Sequence, residues 1–306
     1  MLVLQFYSIM QSPLLSERLS ITALNTTDAK FIFELVNTEG WLTYIGDRKI
    51  HSPEDAQSYI QKIIDSSDIS YWVVRLRQYD TPVGIISLIK RDHLEHPDIG
   101  FAFLPSFTSN GFAYEATKIV LKHVIDNTEH PFVLGVTVVE NTASINLLKK
   151  LGFQFQKEIE VKKEKLGVYV VSKDKFYISE ITKRFFDSFT NKESSTPKLD
   201  TLKSICIPEV RIVSIDGSEV IYNLDSFLEP RKKMLTDGTL VQFEEKEVYE
   251  KTNIIQNIAH RHSKYEKTGI LNGKKFEQTG HKLFQFIKTN QDWKIKSVIW
   301  EDDKMR

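Results

Sequence analysis

Residues 98–113 read DIGFAFLPSFTSNGFA, and this stretch decides the fold of the first part of the chain. Ile99, Phe101 and Phe103 alternate with small or apolar neighbours, which is typical of a strand buried on both faces. A proline and a polar run then end the strand. From Phe112 onward the apolar spacing becomes helical. The stretch therefore predicts a strand, a short loop and the beginning of a helix.

A small-residue turn at a helix N-terminus is suited to binding anions. Backbone N–H groups converge there, and the helix dipole adds about half a positive charge. We therefore expect a phosphate-bearing cofactor at this turn. A glycine at such a junction also has purely steric uses, so the turn alone leaves both interpretations open.

The next forty residues extend the pattern. Residues 131–140, PFVLGVTVVE, predict a β-branched strand, and residues 141–152 predict a short helix that ends at Gly152. This order of strand, turn, helix, strand, Asn-x-x-Ser helix and Gly-Phe resembles the GCN5-related N-acetyltransferase (GNAT) superfamily. Within it, the chain is similar to the branch of the ribosomal-protein N-terminal acetyltransferases. Three further segments agree with that branch, SERL at 16–19, YIGD at 44–47 and VGII at 83–86, so that the resemblance covers about residues 14–172.

The resemblance implies a mixed α/β sheet flanked by helices, with acetyl-CoA as cosubstrate and no metal. In the family, the strands at 98–104 and 132–138 splay apart and the pantetheine arm fills the gap. The implied cofactor-binding residues are Phe103 and Leu104 through their backbone, Ser109, Asn110, Gly111, Phe112 and Ala113 through amides at the pyrophosphate, and Asn141 and Ser144 beside the arm.

Three positions depart from the family pattern. The usual turn is Gln/Arg-x-x-Gly-x-Gly/Ala, whereas residues 108–113 read TSNGFA, with Thr108 for the first Gln/Arg and Ser109 for the second-position glycine of many relatives. Leu148 stands where many relatives have a tyrosine that protonates the departing thiolate. Asn141 and Ser144 also form a good helix N-cap pairing, so capping is an alternative to a role in the reaction.

The candidate catalytic residues are Asp98, Asn141 and Ser144. Acetyl transfer needs a neutral amine, and a general base works best with a pKa near ambient pH. Asp98 matches a position where the branch often has a glutamate facing the substrate. A water-relayed proton path is the alternative, and each acidic or histidine side chain here is also typical of a solvated loop. The other candidate bases in this loop are Asp92, His93, Glu95 and His96.

Composition limits the possible classes of protein. A length of 306 residues suits two domains, which we place at 1–172 and 173–306. Lys plus Arg and Asp plus Glu both number 41, so no global charge attracts nucleic acid or an anionic membrane. The chain has a single cysteine, Cys206, which we expect to be a small buried residue. A lone cysteine cannot form an internal disulfide, and this favours a cytoplasmic location. Residues 1–10 are apolar but lack the features of a secretion signal, and we expect a strand or packing arm there.

The second half has a different pattern. Residues 176–190 predict an amphipathic helix, and the segments 220–222, 239–252, 253–264, 280–288 and 293–301 predict successive strands separated by Gly- and Asn-containing turns. A helix followed by a long antiparallel meander predicts an α+β cone. The end of the chain resembles the nuclear-transport-factor-2-like (NTF2-like, SnoaL-like) superfamily, over about residues 174–306.

Polar groups of this second domain could face a pocket. They are Tyr222, Asp225, His260, His262 and Tyr265. His260, His262 and Lys264 share one strand face by their period of two, which is typical of a solvated or dimer-facing surface. We expect a homodimer formed through this domain.

The leading hypothesis is an acetyl-CoA-dependent N-acetyltransferase acting on a primary amine, either a protein N-terminus or a small molecule, without nucleic-acid or membrane partners. The alternative is a CoA-binding sensor or scaffold with little catalysis. A third hypothesis is an isomerase or cyclase in the second domain. The acceptor cannot be identified from the sequence, and we expect the segment 41–53 to select it.

Overall fold

The computed structural model describes residues 12–193, 195–215, 217–290 and 292–304. Contacts divide the chain between Lys173 and Asp174 into two compact units. The arm expected at residues 1–10 lies outside the described residues. None of the helices in the described ranges is long and apolar enough to span a membrane.

The first unit is a mixed sheet flanked by helices. Its strands are β1 (Leu14–Leu15), β2 (Leu19–Ala23), β3 (Ile69–Leu76), β4 (Thr81–Ile89), β5 (Asp98–Phe103), β6 (Phe132–Val138), β7 (Gln154–Val161) and β8 (Glu164–Ser172). Its helices are α1 (Ala29–Val36), α2 (Glu39–Tyr44), α3 (Pro53–Ile64), α4 (Phe112–Asn127) and α5 (Thr142–Lys150). Among the described residues the strand order is β1-β2-β3-β4-β5-β6-β8-β7.

The helix beginnings follow the local sequence. Ser52 caps α3, since its hydroxyl accepts a hydrogen bond from the amide of Asp55 at 3.1 Å. A 3-10 turn over Thr26–Asp28 precedes α1 and is capped by Asn25, whose side-chain oxygen accepts from the amide of Thr27 at 2.9 Å. Asp28 is the N-cap residue of α1, without a side-chain capping bond to that helix.

The centre of this sheet opens into a gap. β4 and β5 pair antiparallel along their full length, from Gly84 opposite Phe103 to Ile89 opposite Asp98. β5 and β6 run parallel, and within these fully described strands the one paired position is Asp98 with Leu134. Beyond that position the two strands diverge, as the resemblance to the GNAT superfamily implied.

The second unit is built on a mostly antiparallel sheet. Its helices are α6 (Lys173–Asp187), α7 (Thr201–Ile205) and α8 (Leu224–Thr236). Its strands are β9 (Cys206–Ser214), β10 (Val220–Tyr222), β11 (Leu240–Ile255), β12 (Ile258–Leu271), β13 (Lys274–Thr289) and β14 (Asp292–Asp302). In the described ranges their order is β10-β9-β14-β13-β12-β11.

Two features of this unit differ from the sequence-based expectation. The sheet is not a pure antiparallel meander, because β9 pairs parallel with β14. The strand expected at 253–264 is interrupted by a tight turn, in which Gln256 has a φ of 51° and the chain reverses from β11 into β12. The core of the unit lies on the inward face of the sheet, where Phe284 and Phe286 of β13 contact the aromatic face of α6.

Candidate active site

The gap between β5 and β6 exposes backbone hydrogen-bonding groups. The amide of Leu104 donates to the carbonyl of Val83 at 2.9 Å, which fixes the alternation of the β4–β5 ladder. By that alternation, Phe101 and Phe103 direct their N–H and C=O groups away from β4 and into the gap. Phe103 therefore lies where the sequence predicted, and Phe101 is a second such residue that the prediction missed.

Leu104 does not offer the free backbone groups expected of it. Its amide is bonded to Val83, and its carbonyl accepts from the amide of Phe107 at 2.9 Å. The correction has a simple cause. Leu104 lies one residue past Phe103, so its polar groups point to the opposite side of the strand.

The turn at the end of β5 is arranged for an anion. Ser109 and Gly111 both have left-handed backbone, with φ of 62° and 79°, and Gly111 is the N-cap of α4. Glycine enters this conformation without steric cost, whereas a side chain there is strained. The amides from Ser109 to Ala113 have no acceptor among the described residues. These amides and the dipole of the sixteen-residue helix α4 together favour a negatively charged group.

Arg18 is a functional candidate that the sequence analysis did not single out. Its Nη1 donates to the carbonyl of Asn110 at 3.1 Å, and its guanidinium lies over the ring of Phe112 at 4.7 Å from the centroid. Its Nε donates to the carboxylate of Glu115 at 2.9 Å. Arg18 therefore supports the turn and adds a cation beside it. The fragment SERL at residues 16–19 was the one sequence signal that pointed to this neighbourhood.

Asn141 and Ser144 are brought together at the start of α5. The side-chain oxygen of Asn141 accepts a hydrogen bond from the amide of Ser144 at 3.0 Å, so Asn141 caps the helix. The capping alternative is thus present in the structure. The amide nitrogen of the Asn141 side chain has no acceptor among the described residues and is still able to donate to a ligand.

Leu148 is 2% exposed and packs against Gly135 of β6. A Cβ atom at Gly135 would lie 2.4 Å from Cδ2 of Leu148, so the leucine packs there only because residue 135 has no side chain. Because Leu148 is buried and apolar, proton donation to a leaving group from this position of α5 is excluded.

Asp98 lies at the closed end of the gap, where β5 and β6 meet. It is 3% exposed, and its Oδ1 accepts from Nε of Arg91 at 2.8 Å. Burial raises the pKa of Asp98, while the bond to Arg91 opposes that shift. A carboxylate with a raised pKa is a stronger base, which is the property that proton abstraction from an ammonium group requires.

Two tyrosines share the face of the sheet that carries Asp98. Tyr71 lies opposite Ser87, and Ser87 lies opposite Gly100, so these residues face the same side as Asp98. The Tyr71 hydroxyl is 3.5 Å from that of Tyr59 on α3. Burial raises the pKa of Tyr71 well above its ordinary value, and Tyr71 therefore stays protonated. The sequence analysis did not name either tyrosine.

The remaining base candidates lie in the loop before β5. Asp92, His93 and Glu95 are exposed, and His96 packs at a tilt against the ring of Phe132, with 5.0 Å between the ring centroids. Cys206, in the second unit, is buried, and burial raises its pKa to about 12. The expected role of Cys206 as a small buried residue is confirmed.

The first unit combines a gap between two diverging parallel strands with a turn of amides without acceptors among the described residues, at a helix N-terminus. This arrangement is suited to an elongated ligand with an anionic end. Residues 18–154 match the family described as the acetyltransferase (GNAT) domain. This match supports the resemblance to the GNAT superfamily over that part of the chain.

Three comparisons agree with this match. The uncharacterized N-acetyltransferase YnaD of Bacillus subtilis is 24% identical over 139 residues, which are 45% of this chain and 81% of YnaD. The uncharacterized N-acetyltransferase YoaA of the same organism is 27% identical over 144 residues, with the same two shares. A GCN5-related N-acetyltransferase structure from Brucella melitensis has a TM-score of 0.50 at 15% identity, covering 62% of this chain and 91% of that one. The family and sequence matches support an N-acetyltransferase, and the structural likeness concerns the fold.

Proposed function

We propose that this protein is an acetyl-CoA-dependent N-acetyltransferase that acetylates a primary amine, either a protein N-terminus or a small molecule. The observation that carries the proposal is the divergence of β5 from β6 after the single pair Asp98–Leu134. Unpaired backbone groups line that gap, and its open end leads to the free amides before α4. These groups fit a long ligand with a phosphate at one end.

Acetyl-CoA would supply an acyl group activated as a thioester. The backbone groups of Phe101 and Phe103 would hold its pantetheine arm as an added strand holds to a sheet edge. The amides from Ser109 to Ala113 would bind the pyrophosphate, and Asn141 would donate to the arm from its side-chain nitrogen. Placement of this kind can contribute roughly 7–11 kcal/mol to lowering the barrier.

The acceptor amine would approach from the face of the sheet that carries Asp98. There the Asp98 carboxylate would take the proton that the ammonium group must lose before it attacks. Arg91 would keep Asp98 ionised, and Tyr71 and Tyr59 would orient the amine or a relaying water. The segment 41–53 runs from within α2 through the following loop to the first residue of α3 and would select the acceptor.

For the second unit we propose an NTF2-like fold that serves dimerisation or ligand binding. The supporting observations are the antiparallel hairpins β11 to β14 and the helices α6 and α8, which share one hydrophobic core with them. A homodimer would use the outward face.

The single buried cysteine is consistent with a cytoplasmic location.

Two assays test the proposal together. Isothermal titration with acetyl-CoA should give one site in the first unit, and release of the CoA thiol should be stimulated by at least one amine of a panel containing polyamines and peptide N-termini. The absence of acetyl-CoA binding up to about 1 mM, a free energy of about 4 kcal/mol, would sink the proposal.

A CoA-binding sensor is the second candidate. The burial of Leu148 favours it, because no proton donor occupies that position of α5. Acetyl-CoA binding without thiol release for any amine would select the sensor, and rapid turnover would exclude it.

A further inference from the structure

The second unit contains a cavity of about 420 Å³, within the range of ~300–1,000 Å³ typical of small-molecule sites. Helix α8 forms one wall, Phe185 of α6 and Phe189 just beyond it form a second, and the inward faces of β11 to β14 form the rest. Of the seventeen described residues that line it, eleven are apolar, and six of these are aromatic. The cavity therefore suits a ligand with an apolar body.

Arg231 of α8 gives this cavity a cation without an ion-pair partner. Its guanidinium lies over the ring of Phe227 at 3.7 Å from the centroid, and Trp300 is at 5.6 Å. Its Nη1 donates to the carbonyl of Phe227 at 2.9 Å. No carboxylate of the described residues lies within 4.0 Å of it, although the side chain lines the cavity.

The other four charged side chains of the cavity form two ion pairs. Lys282 donates to Glu245 at 2.5 Å, and both side chains are almost fully buried. Lys267 bonds both oxygens of Asp302, at 2.8 and 2.6 Å. Asp302 also accepts from the hydroxyl of Tyr265. Three cations and two carboxylates thus line the cavity, and Arg231 carries the excess charge.

The hydrophobic wall around Arg231 increases the need for an anion. Burial lowers the pKa of Arg231 through the loss of water around its charge, and Tyr222 and the more distant carboxylate of Glu245 oppose that shift in part. The aromatic rings compensate in part, through cation–π contact. A carboxylate would compensate further, because guanidinium binds carboxylate by two parallel hydrogen bonds.

We propose that this cavity binds a small apolar carboxylic acid, with its carboxylate on Arg231 and its apolar body against the aromatic walls. The proposal gives a ligand class to the binding role proposed for the second unit and does not depend on acetyl transfer.

Two acids with matched amides are the probes, 3-phenylpropionate with its amide and octanoate with its amide. Isothermal titration of the full chain should detect at least one acid, bound about 10- to 100-fold more tightly than its amide, as expected for hydrogen bonds to a charged group. Equal affinity for acid and amide would overturn the proposal. So would the absence of binding by both acids up to about 10 mM.

Variants locate the site. In Arg231→Met the acid should bind no better than the amide, whereas Lys233→Met, which removes an exposed lysine of the same helix, should leave both affinities unchanged. Met234→Trp should weaken acid and amide alike by filling the cavity. If Arg231→Met fails to fold, Met234→Trp still tests whether the acid binds in this cavity. Unchanged acid binding by Met234→Trp would contradict that location. Acetyl-CoA binding, titrated in parallel, reports separately on the first unit and should be the same in all three variants.

Discussion

Asp98 combines burial with an ion pair, and this combination defines a pH test. Arg91 favours the ionised form of Asp98, so removal of its charge must raise the pKa of Asp98 further. If Asp98 is the base, the acid limb of kcat/KM in Arg91→Met should move to higher pH. Arg77→Met is the control and should keep the wild-type profile, because Arg77 lies just past β3 and bonds the carbonyl of Ser16 rather than Asp98.

Asp98→Asn tests the same residue directly. Loss of a general base costs about 10²- to 10⁴-fold in rate, and the acid limb should disappear with it. A variant that keeps full activity and the wild-type pH profile would show that Asp98 is structural and that water or a loop residue takes the proton.

Arg18 should matter for the cofactor and not for the amine. Its bond to the Asn110 carbonyl holds the turn that we assign to the pyrophosphate. We expect Arg18→Met to weaken acetyl-CoA binding about tenfold, as for a lost hydrogen bond to a charged group, with little change in KM for the amine. Titration calorimetry measures the first quantity, and an unchanged affinity would remove Arg18 from the site.

At the scale of the elements, Lys282 of β13 and Glu245 of β11 form a buried ion pair. We expect that breaking this pair lowers the stability of the second unit. Glu245→Gln leaves the Lys282 charge buried without a partner, and we expect a loss of about 3–5 kcal/mol. The double variant Glu245→Gln, Lys282→Met should recover most of this loss. Amide hydrogen exchange of β13 measures the local stability, and a single variant as stable as the wild type would contradict the prediction.

Some helices and strands could be predicted from the sequence and others could not. Alternation over Ile99 to Phe103 and the glycine-containing turn before Phe112 gave β5 and α4 correctly, because both signals are local. β9 was missed because Pro208 and Glu209 interrupt its apolar pattern, and α8 was missed because Pro230 lies inside it.

Side-chain partners were harder to predict than elements. Arg18 and Glu115 are separated by 97 positions, and no spacing rule links two such residues. The same holds for Lys282 and Glu245, which are separated by 37 positions. The candidate cofactor residues of the turn could be named because they are consecutive. The role of Leu104 was misassigned, because the direction of its backbone groups depends on the register with β4.

For the whole molecule, the outward face of the second sheet is the proposed dimer surface. Leu283 and Ile299 are paired across β13 and β14 there, with Leu283 52% exposed. His260 is exposed on this face, and the side chain of His262 bonds that of His281 at 2.8 Å, so these histidines point away from the cavity.

A charge on this face should dissociate the dimer. We expect the wild type to sediment at twice 35.5 kDa and Leu283→Glu at 35.5 kDa. Tyr79→Glu, at an exposed residue of the first unit, is the control and should stay dimeric. A monomeric wild type would exclude the dimer at the concentration measured.

The central claim is that acetyl-CoA binds along β5 and at the turn before α4. Amide hydrogen exchange with and without acetyl-CoA tests it most directly, because the amides of Phe101, Phe103 and residues 109–113 lack acceptors and would gain them. The account predicts slower exchange in residues 99–113 and 134–144. Unchanged exchange in both segments, or protection confined to residues 240–302, would contradict it.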